Sequence, residues 1–97
     1  MPAVTRKTDI TTGHAPCFPP RPPSSWSPTV FANDLEVVRV TDTYPPHAIP
    51  PCIPHAGALA DGSPNVFAND LKVGRIGDPV DCGDFVAVGS GNVFANT

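Results

Sequence analysis

Three residues of metal-ligating type follow three copies of one short motif at matching distances. The motif is Arg-x-[Thr/Gly]-Asp, read at Arg6-Lys7-Thr8-Asp9, Arg39-Val40-Thr41-Asp42 and Arg75-Ile76-Gly77-Asp78. His14 follows Asp9 by five positions, His47 follows Asp42 by five, and Cys82 follows Asp78 by four. Imidazole and thiolate are ligands that zinc and similar borderline metals prefer. If the three copies are arranged about an approximate three-fold axis, these side chains converge on it. His55, the remaining histidine of the chain, lies in the longer second loop and is the candidate fourth ligand. One thiolate with three imidazoles suits a closed tetrahedral zinc site, whereas iron would be expected of an all-histidine set of six. A single histidine in a proline-rich loop is ordinarily a solvated residue; equivalence across the copies is what argues for ligation here.

Cys17 and Cys52 leave three readings open. They could pair with each other, Cys52 could replace His55 as the fourth ligand, or both could be small buried thiols. Three cysteines cannot all pair, which disfavours a disulfide framework, and in a reducing cytosol free thiols are the preferred reading. Arg6, Arg39 and Arg75 are expected to pair with nearby aspartates rather than to bind an anion. Asp9, Asp42 and Asp78 are expected to be turn residues ahead of the loops. The chain has no Ser-His-Asp pattern, no phosphate-cradling glycine loop and no His-Glu-x-x-His. A metal held by four protein ligands leaves no position for an activated water. The sequence therefore indicates no enzyme and no small-molecule substrate.

The elements that must position these ligands are also written three times. Val-Phe-Ala-Asn occurs at 30–33, 66–69 and 93–96. It is preceded by Trp26-Ser27-Pro28-Thr29, Gly62-Ser63-Pro64-Asn65 and Gly89-Ser90-Gly91-Asn92. A unit this short cannot bury its own apolar face, but three that share an axis can. The units run over roughly 1–33, 34–69 and 70–97, and the 97 residues make a single domain.

Fourteen prolines and eight glycines argue against helices, while 40% apolar content argues against disorder. Alternating apolar residues predict strands over Leu35–Val40 and Leu71–Ile76, paired through Ala-Asn-Asp turns with Thr29–Phe31 and Asn65–Phe67. A last strand pair is predicted from Asp84–Gly89 and Asn92–Phe94. Phe31, Phe67 and Phe94 are expected in the core, with Trp26 and Tyr44 packing loops. The segments Thr11–Ser27 and Thr43–Asp61 read as long loops stiffened by proline.

The net charge is −3 and no basic stripe is present, so nucleic acid is not an expected partner. No apolar run reaches the length of a membrane span, and the N-terminus lacks a signal-peptide core, so no secretory signal is expected.

These residues resemble the PAAR-repeat family, the tip proteins of contractile-tail spikes. The family pattern of Gly-Ser-Pro-x-Val-Phe, a short turn, Pro-Ala-Ala-Arg-x-Gly-Asp and a loop bearing His or Cys is similar to Gly62–Phe67, Lys72–Asp78 and Cys82. The Pro-Ala-Ala-Arg itself is degraded to Ala3-Val4-Thr5-Arg6, Glu36-Val37-Val38-Arg39 and Lys72-Val73-Gly74-Arg75. The resemblance implies an all-β fold, a small cone of β-hairpins with pseudo-three-fold repeats. It implies zinc near the apex, held by His14, His47, His55 and Cys82. It further implies a partner, the trimeric β-helical spike of a phage baseplate or a type VI secretion machine, capped by one tip per trimer. The target-cell outer membrane would be met transiently. The sequence starts and stops with the repeat, which favours a bare tip without a toxin extension. The expected location is then the virion tail tip, after synthesis in the host cytoplasm.

Overall fold

The computed structural model describes residues 2–95. Among them there is no helix, and six short strands form three antiparallel pairs. These are β1 (Phe31–Ala32) with β2 (Leu35–Glu36), β3 (Thr43–His47) with β4 (His55–Ala58), and β5 (Phe67–Ala68) with β6 (Leu71–Lys72). Asn33 and Asp34 join β1 to β2 with φ of 53° and 66°, and Asn69 and Asp70 join β5 to β6 with φ of 54° and 66°. Two successive left-handed residues make the tight turn that matches strand twist, and Asn and Asp tolerate that conformation best.

The units meet around a closed ring of hydrogen bonds. The Thr5 amide donates to Gly74 O at 3.0 Å, the Gly74 amide to Val38 O at 2.8 Å, and the Val38 amide to Thr5 O at 3.1 Å. A second ring repeats the relation: Lys7 to Glu36 O at 2.7 Å, Val40 to Lys72 O at 2.8 Å, and Ile76 to Ala3 O at 2.9 Å. In the first ring every residue precedes its repeat's arginine by one position, and in the second every donor follows it by one and every acceptor precedes it by three, so the three copies share one pseudo-three-fold axis.

The arginine motifs fold identically. The backbone amides of Arg6, Arg39 and Arg75 donate to the Oδ2 atoms of Asp9, Asp42 and Asp78 at 2.9, 2.7 and 2.8 Å, and their guanidinium groups close on the same carboxylates. All three aspartates are buried. The turn and ion-pair reading of these residues is correct, and the motif redirects each copy of the chain into its loop in the same way. Ser27, Ser63 and Ser90 are also equivalent: each is buried and accepts the amide of Val30, Val66 or Val93 at 3.0, 3.1 or 2.9 Å.

The interior is two apolar clusters in a body of 39 × 23 × 22 Å. The first holds Val4, Val37 and Val73 with Ala32, Ala68 and Ala95. The second holds Val38, Tyr44, Leu59, Val80 and Val86, with Trp26 and Cys82 packed against it.

Several expectations need correction. The strands expected over 35–40 and 71–76 last only two residues, because Val37, Arg39 and Val73 leave their hairpins to bridge the neighbouring units. Asp84–Gly89 and Asn92–Phe94 do not pair: Phe85 bridges Pro79, Val86 bridges Thr11, and Phe94 bridges Ala3. The loop expected over 43–61 contains the β3–β4 hairpin, and Tyr44 is a core residue at 1% exposure. Phe31, Phe67 and Phe94 are 54%, 53% and 49% exposed rather than buried. Strand alternation turns the neighbouring alanine inward, and a methyl group fits where the three units crowd one axis. Asn96, which completes the third Val-Phe-Ala-Asn, lies outside the described residues.

Candidate metal centre

Local chain geometry places each predicted ligand. His14 opens a tight turn closed by two bonds, the His14 amide to Phe18 O at 2.8 Å and the Phe18 amide to His14 O at 3.0 Å. Gly13 permits that turn: its φ is +69°, and a Cβ there would sit 2.6 Å from Phe18 O. His47 ends β3 and His55 begins β4, where they face each other as a cross-strand pair beyond a register irregularity. Cys82 sits in the turn between Val80 and Asp84, closed by the Val80 amide to Asp84 O at 2.8 Å.

One donor nitrogen from each of His14, His47 and His55 falls within a cluster where all three lie within 4.8 Å of one another. The Nε2 atoms of His47 and His55 are 2.9 Å apart. Cys82 joins through His47: the donor atoms of His47, Cys82 and Asp84 form a second group of the same spread. The structure thus brings the three histidines together and sets Cys82 beside one of them.

The surroundings aim these donors. His14 donates Nδ1–H to the Asp84 carboxylate, and His47 donates Nδ1–H to Pro19 O at 2.8 Å. An imidazole that donates through Nδ1 presents a lone pair at Nε2, the arrangement of a metal-binding histidine held by an outer partner. Partial desolvation, then the neighbouring His47 and His14, lower the pKa of His55, which favours the neutral ring that ligation needs. The donor set therefore fits a divalent ion of the zinc type.

Three participants were not anticipated from sequence. Asp84 is fully buried, accepts the Thr11 hydroxyl at 2.7 Å and anchors His14. Burial by itself raises its pKa, but the hydrogen bonds of Thr11 and His14 and the proximity of His47 and Arg21 outweigh that, holding it below the ordinary carboxylate range. Arg21, also buried, donates to Pro45 O, to His55 O at 3.1 Å and to Cys82 Sγ at 2.7 Å, while its Nε lies 3.5 Å from Asp84. Its fixed charge faces both the Asp84 carboxylate and the Cys82 sulfur. Phe18 stacks on His14 at 4.6 Å and on His55 at 4.2 Å. Nothing in the local sequence marks these residues, because their partners come from distant segments.

Cys17 and Cys52 are joined as a disulfide, which corrects the reading of both as free thiols. The bond removes Cys52 as an alternative to His55 in this form of the protein. Among the cysteines only Cys82 is free, and it lies beside His47.

The family model described as the PAAR motif matches residues 3–88 of the 97-residue chain. No curated protein matches it.

Proposed function

This chain belongs to the PAAR-motif family, and on that premise we propose that it caps and sharpens the trimeric β-helical spike of a contractile injection machine, in a phage baseplate. One observation carries the reading: a single chain sets three equivalent units, joined by three-fold rings of backbone hydrogen bonds, about one axis and exposes an equivalent phenylalanine from each. Phe31 and Phe67 project from the hairpin end and Phe94 from the equivalent position in the third unit, all about equally exposed. Monomeric proteins seldom leave repeated large apolar groups in water without a partner. A partner with three identical chains offers three identical contacts to this surface, and the open strand ends of its β-helix would be covered.

His14, His47, His55 and Cys82 would hold one zinc ion, with Cys82 packed against the second apolar cluster. Zinc supplies a staple there, linking the loops of all three units where the core is too small to do so. Asp84, Pro19 and Arg21 orient and charge-balance the ligands. The role is mechanical: a rigid point at which contraction force is applied to a target-cell envelope. The same tip would serve a type VI secretion spike, where it could also adapt cargo.

Light scattering of a mixture with a trimeric β-helical spike protein tests this reading. One chain per trimer is expected, with loss of the complex in Phe31→Asp/Phe67→Asp/Phe94→Asp. Three chains per trimer, or no association, would contradict it.

A further inference from the structure

The Cys17–Cys52 disulfide joins the two segments that bring the histidines together, and we infer that it is coupled to the metal centre, so that the oxidised chain holds metal more tightly than the reduced one. The inference rests on the zinc-binding reading above. Cys17 lies inside the turn that runs from His14 to Phe18, and Phe18 stacks on His14 and His55 at 4.6 and 4.2 Å and lies tilted against His47 at 5.2 Å. Cys52 lies between His47, which ends β3, and His55, which begins β4.

Little apolar packing holds these segments. Neither apolar cluster contains a residue from 12–19 or 45–57. Ile49 and Ile53 are 57% and 84% exposed. The noncovalent links between the two segments are the ring contacts of Phe18 and His14 with His47 and His55, and two hydrogen bonds, the Ile49 amide to Cys17 O at 2.7 Å and His47 Nδ1 to Pro19 O at 2.8 Å. The cross-link therefore restricts the ligand-bearing loops where the core does not. Opening it gives the metal-free chain more conformations to lose on binding, which weakens binding.

Coupling of this kind is reciprocal: metal that favours the closed arrangement favours the disulfide by the same factor. Closure takes two thiols to one disulfide, releasing two protons and two electrons to a low-molecular-weight disulfide such as oxidised glutathione, itself split into two thiols. Cys17 and Cys52 are both only half-buried, so small thiols and disulfides reach them.

The test is a zinc titration against a chromophoric chelator, using oxidised protein, phosphine-reduced protein and Cys17→Ser/Cys52→Ser without reductant. Zinc affinity is expected to fall by about tenfold or more in the latter two. In metal-free protein, reduction should speed amide exchange over 13–18 and 47–55 while the rings through Thr5, Val38 and Gly74 keep their protection. Equal zinc affinity in all three samples, or tighter binding after reduction, would overturn the inference and leave the zinc reading intact. No zinc in any sample would overturn both.

Discussion

The Asp84 carboxylate accepts the Nδ1 proton of His14 from 70 positions further along the chain. That contact fixes which nitrogen of His14 faces the other two imidazoles. It also joins the first and third units beside the histidine cluster. Asp84→Asn keeps the shape but removes the charge that holds the ring and faces Arg21. Zinc affinity is expected to fall by about 10–100-fold, measured by chelator competition; an unchanged affinity would mean that Asp84 does not orient His14.

Arg21 is expected to be a stability residue as much as a site residue. Arg21→Met leaves Asp84 buried beside a neutral side chain and frees the carbonyls of Pro45 and His55. A loss of about 3–5 kcal/mol is expected in denaturant unfolding of the metal-free protein. A loss of under about 1 kcal/mol would show that the guanidinium is dispensable.

Gly57 is required by its neighbours. A Cβ there would lie 2.9 Å from Cys82 Sγ and 2.9 Å from Val80 Cγ1. Gly57→Ala should cost about 1–3 kcal/mol and displace Cys82. Gly91→Ala meets nothing within 4 Å and serves as the control, with an expected effect within about 0.5 kcal/mol.

The apolar residues divide into packing and surface groups. Leu59→Ala, at a site 1% exposed, should cost about 2–5 kcal/mol. Phe31→Ser, at a site 54% exposed, should change thermal stability by less than about 0.5 kcal/mol. If Phe31→Ser instead unfolded the chain, its ring would be core, as alternation read in the other phase suggests.

Local signals in the sequence carried a large part of this architecture. Asn33-Asp34 and Asn69-Asp70 announce their turns because left-handed backbone selects those residue types. The Arg-x-x-Asp motifs are self-contained, each closing on itself three residues apart. His14 and His47 could be paired as candidates because the repeat gives them matching offsets. Phe31 went to the wrong side because adjacent Phe and Ala are both apolar, and only the crowding at the axis decides which turns inward. Asp84, Arg21 and Phe18 were hidden because each acts through residues of another unit. The Cys17–Cys52 bond was hidden because spacing does not say which loops touch.

The most direct test of the metal-stapled tip is elemental mass spectrometry of the purified chain beside His47→Ala and Cys82→Ala, with circular dichroism of each. About one zinc per chain in the wild type, with metal and folded structure lost together in the variants, is the expected result. A folded wild type without metal, or variants that keep their zinc, would contradict the assignment of these four residues as its ligands.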